Sequence, residues 1–332
     1  MIRIATVAGI KSILSALIAS IIFQILKKLS PNINGKELND IVSYSSCLIA
    51  ASRAIETESK SPLINDPLAL ILAGTKAMSD KRKKITQKEG VSRIAIRTKY
   101  FDDYILNLLK RGKVKQVVLL GAGMDSRAFR FPYYNDDVTF YEIDNLNVLR
   151  LKEKKLQESL STKQSKSNQQ LILENMILQG NKRRKVISCN IENENGHGWS
   201  QPLLQSGYNP NLSTIWVLEG LTYYISSEEI MSRIFKTMHD LSSKKSYFIA
   251  SIATLESMNR AKHNSSNKLL QSWKWGTDDP TLFLSSNQCG SWTVDDIVLF
   301  GGKKANYGRY KVDNSDDNTK KKSGIMYVTG KC

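Results

Sequence analysis

The chain contains few of the residues that build metal sites, disulfide frameworks and histidine-based catalytic sites. Its 332 residues include four cysteines and three histidines. The cysteines lie far apart and form no CxxC pair, so neither a zinc site nor a disulfide framework is indicated, and we predict no metal centre. The histidines, at positions 197, 239 and 263, form no clear catalytic His-Asp or Ser-His pattern. We therefore expect none of them to be catalytic.

Acidic residues are also in deficit, since 31 Asp and Glu oppose 48 Lys and Arg and give a net charge of +17. A basic balance of this size is typical of nucleic-acid-binding proteins. Much of the excess lies in four lysine-rich stretches, at 76–88, 152–166, 182–185 and 303–322. Such runs usually form solvated loops or helix faces. We therefore do not expect a nucleic-acid partner.

The first 36 residues differ from the rest of the chain. No acidic residue occurs before Glu37, and residues 4–26 are almost continuously apolar apart from Lys11. That length could span a bilayer, and the apolar residues would cover most of a helix. We predict that residues 1–36 anchor the protein in a membrane. The alternatives are an organelle-targeting peptide and a soluble helix of a cytoplasmic protein.

Beyond residue 37, hydrophobic patterning predicts helices at 38–58 and 91–110, followed by alternating strands and helices. Alternation of this kind is typical of a parallel sheet that is covered on both faces. At 332 residues and 41% apolar composition, one large α/β domain is expected. The predicted strands are 116–120, 138–143, 185–189, 214–218 and 247–252, with a last strand at 324–330 that could return antiparallel.

Three further segments have recognisable patterns. Ser226 and Glu229 form a capping box at the start of a helix, whose apolar stripe contains residues 230, 234, 238 and 241. Residues 157–170 are polar and low in complexity, which predicts a loop or a frayed helix end. Residues 308–323 are predicted to form a second polar loop.

The stretch VVLLGAGMDSRAF at 117–129, followed by FYEID at 140–144, is the most informative pattern. An apolar strand ends in Gly-Ala-Gly, and a second strand ends in Asp144 about 20 residues later, an arrangement that predicts a site for an adenosine-bearing cofactor. The dinucleotide fingerprint has a third glycine where this chain has Ser126. Ser126 therefore disfavours an NAD-type oxidoreductase, which is kept as an alternative.

These motifs, together with RTKYFDD at 97–103, WVLEGLTYYI at 216–225 and WGTDDP at 275–280, resemble the leucine carboxyl methyltransferase family. The nearest branch is the bacterial type of S-adenosyl-L-methionine-dependent O-methyltransferases. The resemblance implies the α/β class I methyltransferase fold, which is Rossmann-like, with a seven-stranded, mostly parallel sheet whose last strand is antiparallel. It also implies that residues 37–332 form a methyltransferase domain with a helical lid built from 37–110 and an insertion around 253–295.

The resemblance further implies roles for individual residues around S-adenosyl-L-methionine. Arg97 would bind the carboxylate of its methionine part, and Asp144 would accept hydrogen bonds from its ribose hydroxyls. Gly121 and Gly123 would lie under the cofactor, and Glu219 would lie near it.

Four other positions can also be aligned with functional residues of the family, and some of them differ from the family pattern. Asn190 stands where the family usually has an aspartate that contacts adenine, and Ile191 follows it. An asparagine carbonyl can still accept that hydrogen bond, though without a charge. Arg53 lies near the position of a basic residue that reaches the cofactor carboxylate. Tyr224 matches a tyrosine that faces the active site, and we predict that it is catalytic.

We predict methyl transfer to an oxygen. A carboxylate of a small molecule or of a protein C-terminus is the favoured acceptor, because a carboxylate is already ionised and needs no general base. A hydroxyl acceptor would need one, and Tyr224 or Glu219 would be the first candidates. Arg53 or a lid lysine would orient the acceptor. A nucleic-acid methyltransferase is the alternative, but the chain has EGLTYY rather than an (N/D)PP(Y/F) loop after the fourth strand, and it has no Pro-Cys dipeptide. A further alternative is a protein that binds the cofactor but does not catalyse methyl transfer.

Overall fold

The computed structural model describes residues 41–85, 93–132, 138–161, 168–263, 267–309 and 324–332. Within these ranges, no helix has the length and apolar character needed to cross a membrane. The segment 4–26, on which the anchor prediction depends, lies outside them, as does most of the loop predicted at 308–323. The membrane anchor therefore stays a prediction.

Seven strands form one sheet, with the order β3-β2-β1-β4-β5-β7-β6. The first five strands are parallel, whereas β7 pairs antiparallel with both β5 and β6. The predicted fold class, with its antiparallel last strand, is confirmed. The strands are β1 Gln116–Leu120, β2 Thr139–Asp144, β3 Arg184–Ser188, β4 Thr214–Leu218, β5 Tyr247–Ala253, β6 Thr293–Leu299 and β7 Ile325–Lys331.

Helices precede the sheet and connect its strands. The helices α1 and α2 pack against each other, and α1 also contacts α3. Within α2, Gly74 has φ 74° and ψ 167° and interrupts the helix. The helices are α1 Ile41–Thr57, α2 Ala69–Ile85, α3 Arg93–Lys110, α4 Arg127–Arg130, α5 Leu146–Leu160, α6 Asn168–Arg183, α7 Asn193–Gly196, α8 Ser200–Gln205, α9 Glu228–Asp240, α10 Leu255–Lys262, α11 Lys268–Gln271 and α12 Pro280–Ser285, with 3-10 turns at Thr222–Tyr224 and Asn287–Cys289.

Both faces of the sheet are buried. In β1, Val117 and Leu119 pack into one hydrophobic cluster, and Val118 and Leu120 pack into a second cluster on the opposite face. Alternation of side chains along a strand produces this division. All five residues of β1 are buried, which explains why the sequence shows a continuous apolar run rather than an alternating one.

Two local predictions differ from the structure, and one strand has no predicted counterpart. The helix cap is Ser227, whose side chain accepts a hydrogen bond from the Ile230 amide, so the predicted cap at Ser226 is wrong by one residue. Ser226 instead donates its backbone N–H to Glu192. The segment 157–170 is not one loop, because α5 continues to Leu160 and α6 begins at Asn168. The strand β6 is not predicted from the sequence, because only Val298 of its seven residues is buried and the adjacent Asp295 and Asp296 interrupt its apolar pattern.

Candidate active site

A cavity of about 450 Å³ opens at the carboxyl ends of β1 to β4. In open α/β sheets, ligands bind at this edge, where the strand order reverses. The turns that follow the strands form the inner side of the cavity. We call the opposite side the outer wall, defined by the cavity-lining residues of α1, from Val42 to Arg53, together with Leu269, Ser272 and Lys274.

The turn after β1 presents bare backbone to the cavity. Its two glycines have positive φ, 68° at Gly121 and 49° at Gly123, a conformation that other residues rarely adopt. Space is short as well. A Cβ on Gly121 would lie 3.0 Å from Leu221 Cδ1, and one on Gly123 would lie 3.0 Å from Ser46 Cβ. A ligand can therefore approach the main chain closely at this turn.

Asp144, at the end of β2, is held by two main-chain donors. Its Oδ2 accepts from the Gly123 amide at 2.6 Å, and its Oδ1 accepts from the Asn145 amide at 2.6 Å. Burial raises the pKa of Asp144, and the two amides oppose that rise by favouring the charged form. Each carboxylate oxygen keeps a lone pair for a further donor in the cavity.

Asn190 and Ile191 line the cavity just after β3. The Asn190 Oδ1 accepts from the Glu192 amide at 3.1 Å, and Ile191 is buried. Strand order brings this pair next to Asp144, because β3 lies beside β2. The three residues predicted to contact the adenosine part thus occupy neighbouring strand ends.

Arg97 and Glu219 form a buried ion pair, 122 residues apart in the sequence. Arg97 Nε donates to Glu219 Oε1 at 2.9 Å, and Arg97 Nη1 donates to the Tyr223 hydroxyl at 3.3 Å. The second oxygen of Glu219 accepts from Arg127 at 2.6 Å. Burial alone would raise the pKa of Glu219, but the charges of Arg127 and Arg97 outweigh burial and hold that pKa below its usual value.

Arg127 connects this pair to a larger buried ion network. It also donates to Asp102 at 2.8 Å and to Asp125 at 2.5 Å, and its side chain is 2% exposed. Arg130 extends the network from Asp102 to Asp66. The network holds as many arginines as carboxylates: Arg53, Arg97, Arg127, Arg130, Asp66, Asp102, Asp125 and Glu219.

Arg53 lines the cavity but is already engaged. Its Nε donates to Asp66 at 2.8 Å, and its Nη2 donates to the Met124 carbonyl at 2.5 Å. Asp66 also accepts from Ser126, at 2.6 Å. The serine that replaces the third glycine of the dinucleotide fingerprint therefore has a structural partner. These contacts join α1 to the turn after β1.

Tyr224 lies in the 3-10 turn after β4 and lines the cavity. Its ring packs edge-on against Tyr223, with 4.9 Å between centroids. Burial raises the pKa of Tyr224, and the neighbouring Tyr223 adds to the effect. The Tyr224 hydroxyl therefore stays protonated near neutral pH and can donate a hydrogen bond.

Acid is expected to weaken the fold through the ion network. Burial opposes ionisation of Asp125, yet Arg127 lowers its pKa to about 2, and the pKa of Glu219 lies below its ordinary 4.5. Depressed folded-state pKa values stabilise the protein above pH 4.5, and that contribution is lost as the pH falls toward 2. The urea midpoint should decrease over this range, and Glu219→Gln should decrease less steeply than wild type. If the urea midpoints of wild type and Glu219→Gln fell equally steeply with pH, Glu219 would not be a source of the acid sensitivity.

The strand order, the glycine turn after β1 and the acidic residue that ends β2 together define a class I methyltransferase architecture. The sequence model of the leucine carboxyl methyltransferase family matches residues 46–239. The chain belongs to that family, and the resemblance inferred from the motifs is confirmed.

The names of two similar proteins agree with this assignment. A protein of Mycolicibacterium smegmatis named "Putative S-adenosyl-L-methionine-dependent methyltransferase" is 28% identical over 221 residues, which are 62% of this chain and 65% of that relative. A Mycolicibacterium vanbaalenii protein of the same name is 30% identical over 213 residues, which are 60% of this chain and 64% of the relative. The chain thus covers less than two thirds of their length. A solved methyltransferase structure from Thermobifida fusca has a TM-score of 0.48 and 12% identity, covering 86% of this chain and 93% of its own.

Proposed function

We propose that the protein is an S-adenosyl-L-methionine-dependent O-methyltransferase that esterifies a carboxylate. The cofactor assignment rests on one juxtaposition: Asp144 and the bare Gly121–Gly123 turn face the same cavity and are joined by the Gly123 hydrogen bond. Family membership and the names of the relatives support the same assignment.

The residues around the cavity fit this cofactor. Asp144 would accept hydrogen bonds from its ribose hydroxyls, while Asn190 and Ile191 would contact its adenine. Arg97 has N–H groups beyond the two that bond Glu219 and Tyr223, and these would bind the carboxylate of the methionine part. Bound there, S-adenosyl-L-methionine supplies an activated methyl group, whose transfer to an acceptor oxygen leaves the electron pair of the broken C–S bond on sulfur.

The state of the two candidate bases favours a carboxylate acceptor. Glu219 lies between two arginines that lower its pKa, so it is a poor proton acceptor. Tyr224 has a raised pKa and stays protonated. A hydroxyl acceptor would lack a base among these residues, whereas a carboxylate needs none. We infer that Tyr224 donates a hydrogen bond that orients the acceptor.

The helices α1 to α3 and the segment that contains residues 269–274 would act as the lid of this site. Of these elements, α1 and the segment 269–274 carry the residues of the outer wall, opposite the strand ends. A lid at this position excludes water from the reacting atoms, which favours transfer to the acceptor rather than loss of the methyl group to solvent.

Alkali lability of the product tests the acceptor class. We expect that the full chain, incubated with S-adenosyl-L-methionine labelled in its methyl group and a cell extract, will label products that release most of their label as volatile methanol in mild alkali. Methyl esters hydrolyse under these conditions, whereas ethers and N-methyl groups do not. Asp144→Ala, assayed in parallel, should give little label. Base-stable label that depends on Asp144 would contradict carboxyl methylation and leave the cofactor assignment intact.

A further inference from the structure

The outer wall carries one cation that the ion network does not include. Lys274 lines the cavity and is exposed. Within the part of the chain that the structure describes, its side chain makes no ion pair or hydrogen bond, in contrast to Arg53 and Arg97 of the same cavity.

The main chain around Lys274 is fixed from two sides. Its amide donates to the Tyr223 carbonyl at 2.7 Å, and the Thr277 amide donates to the Ala253 carbonyl at 3.0 Å. The preceding Trp273 packs on the Tyr223 ring with 4.5 Å between centroids. Lys274 is therefore attached to a rigid support directly beside the turn that carries Tyr224, rather than to a loose loop.

The carboxylates of the cavity are already engaged. Glu219 is paired with two arginines, Asp125 is paired with Arg127, Asp144 accepts two amides, and Glu192 accepts from the Ser226 amide. Glu219 and Asp125 thus have arginine partners, and the free lone pairs of Asp144 are assigned to the ribose hydroxyls. A ligand carboxylate would give Lys274 the ion-pair partner that it lacks among the described residues.

Apolar side chains also line this cavity. They are only partly buried, apart from Ile225, which is fully buried. Covering the partly buried ones would remove apolar area from water, worth about 25 cal/mol for each Å². The group comprises Val42, Ile49, Leu221, Ile225 and Leu269.

We propose that the methyl acceptor is an apolar acid, whose carboxylate pairs with Lys274 and whose hydrocarbon body lies against these apolar residues. This inference rests on the proposed function, because it assigns the acceptor side of the same cavity. Lys274 acts as a specificity-determining residue. It selects an anionic end group, while the apolar residues select the body that carries it.

Binding of a model acid tests the proposal without turnover. The full chain is saturated with S-adenosylhomocysteine and titrated calorimetrically with octanoate and with octanamide, its uncharged analogue. We expect octanoate to bind about fivefold more tightly to wild type, a difference of about 1 kcal/mol that is reasonable for an exposed ion pair. Lys274→Met keeps the length of the side chain without its charge and should remove the difference, while Lys274→Arg should keep it.

Lys268→Met is the matched control, since Lys268 is an exposed lysine of α11 that does not line the cavity. It should retain the preference for octanoate. The proposal is overturned if wild type binds neither compound or binds both equally, if Lys274→Met keeps the preference, or if Lys268→Met loses it to the same extent. Failure of the protein to bind S-adenosylhomocysteine would instead overturn the proposed function, so the two failures are distinguishable.

Discussion

Replacing Glu219 by alanine is expected to lower the free energy of unfolding by about 3–5 kcal/mol, as breaking a buried ion pair usually does. The carboxylate bonds Arg97 at 2.9 Å and Arg127 at 2.6 Å, and both guanidinium groups are largely buried. Without it, Arg97 loses its ion-pair partner and Arg127 keeps only Asp102 and Asp125. Urea unfolding of wild type and variant, followed by circular dichroism, measures the loss.

An exposed glutamate provides the control for this effect. Glu158 faces Lys154 at 3.8 Å, and both side chains are more than 60% exposed. Glu158→Ala should change the free energy of unfolding by less than about 0.5 kcal/mol, because surface ion pairs contribute little. If both alanine variants lost similar stability, Glu219 would not hold the arginines together as the structure indicates.

Replacing Asp144 by alanine is expected to weaken binding of S-adenosylhomocysteine at least about 100-fold. Two ribose hydroxyls would each lose a charged acceptor, and hydrogen bonds to charged groups contribute about 1.5–3 kcal/mol each. The amides of Gly123 and Asn145 would also lose their acceptor, which loosens the turn under the cofactor. Isothermal titration calorimetry gives the two dissociation constants.

Asp103→Ala controls for the loss of a carboxylate as such. Asp103 is exposed, pairs with Lys99 and lies outside the cavity lining. Its replacement should leave the affinity for S-adenosylhomocysteine within about twofold of wild type, as expected for a surface change. Asp144→Asn should bind with intermediate affinity, since an amide oxygen still accepts one hydrogen bond. If Asp144→Ala bound S-adenosylhomocysteine with unchanged affinity, Asp144 would not bind the ribose hydroxyls.

The sequence predicts the sheet well because its inner strands are buried on both faces. The bounds of β1 and β4 agree with the predicted strands to the residue, those of β2 and β3 are shifted by one residue at both ends, and β5 is one residue longer than predicted. Buried parallel strands must be apolar along their whole length, so their signal is continuous. The strand β6 lies at the sheet edge with alternating exposure, and that weaker pattern was missed.

The inner side of the candidate site could be predicted because it is built from short motifs, each of which is contiguous in the sequence. The glycines end one strand, Asp144 ends the next, and parallel neighbours bring the two ends together. The ion network could not be predicted in the same way. Arg127 stands inside the glycine motif, yet its partners Asp102 and Glu219 lie 25 and 92 residues away. No periodicity links such positions, because the contact exists only after α3 and β4 have packed.

The outer wall follows from tertiary packing as well. Lys274 comes beside Tyr224 through a hydrogen bond between segments 51 residues apart, from Lys274 to Tyr223. The motif WGTDDP at 275–280 marks the segment but does not indicate which neighbour faces the cavity. The role proposed for Lys274 therefore depends on the structure and could not be predicted from the sequence.

The most direct test of the cavity assignment is calorimetric titration of the full chain with S-adenosylhomocysteine and, in parallel, with NAD. We expect one-to-one binding of S-adenosylhomocysteine with a negative heat-capacity change, as burial of apolar surface requires, and no saturable binding of NAD if the cavity assignment holds. Saturable binding of NAD by a folded protein that does not bind S-adenosylhomocysteine would contradict it.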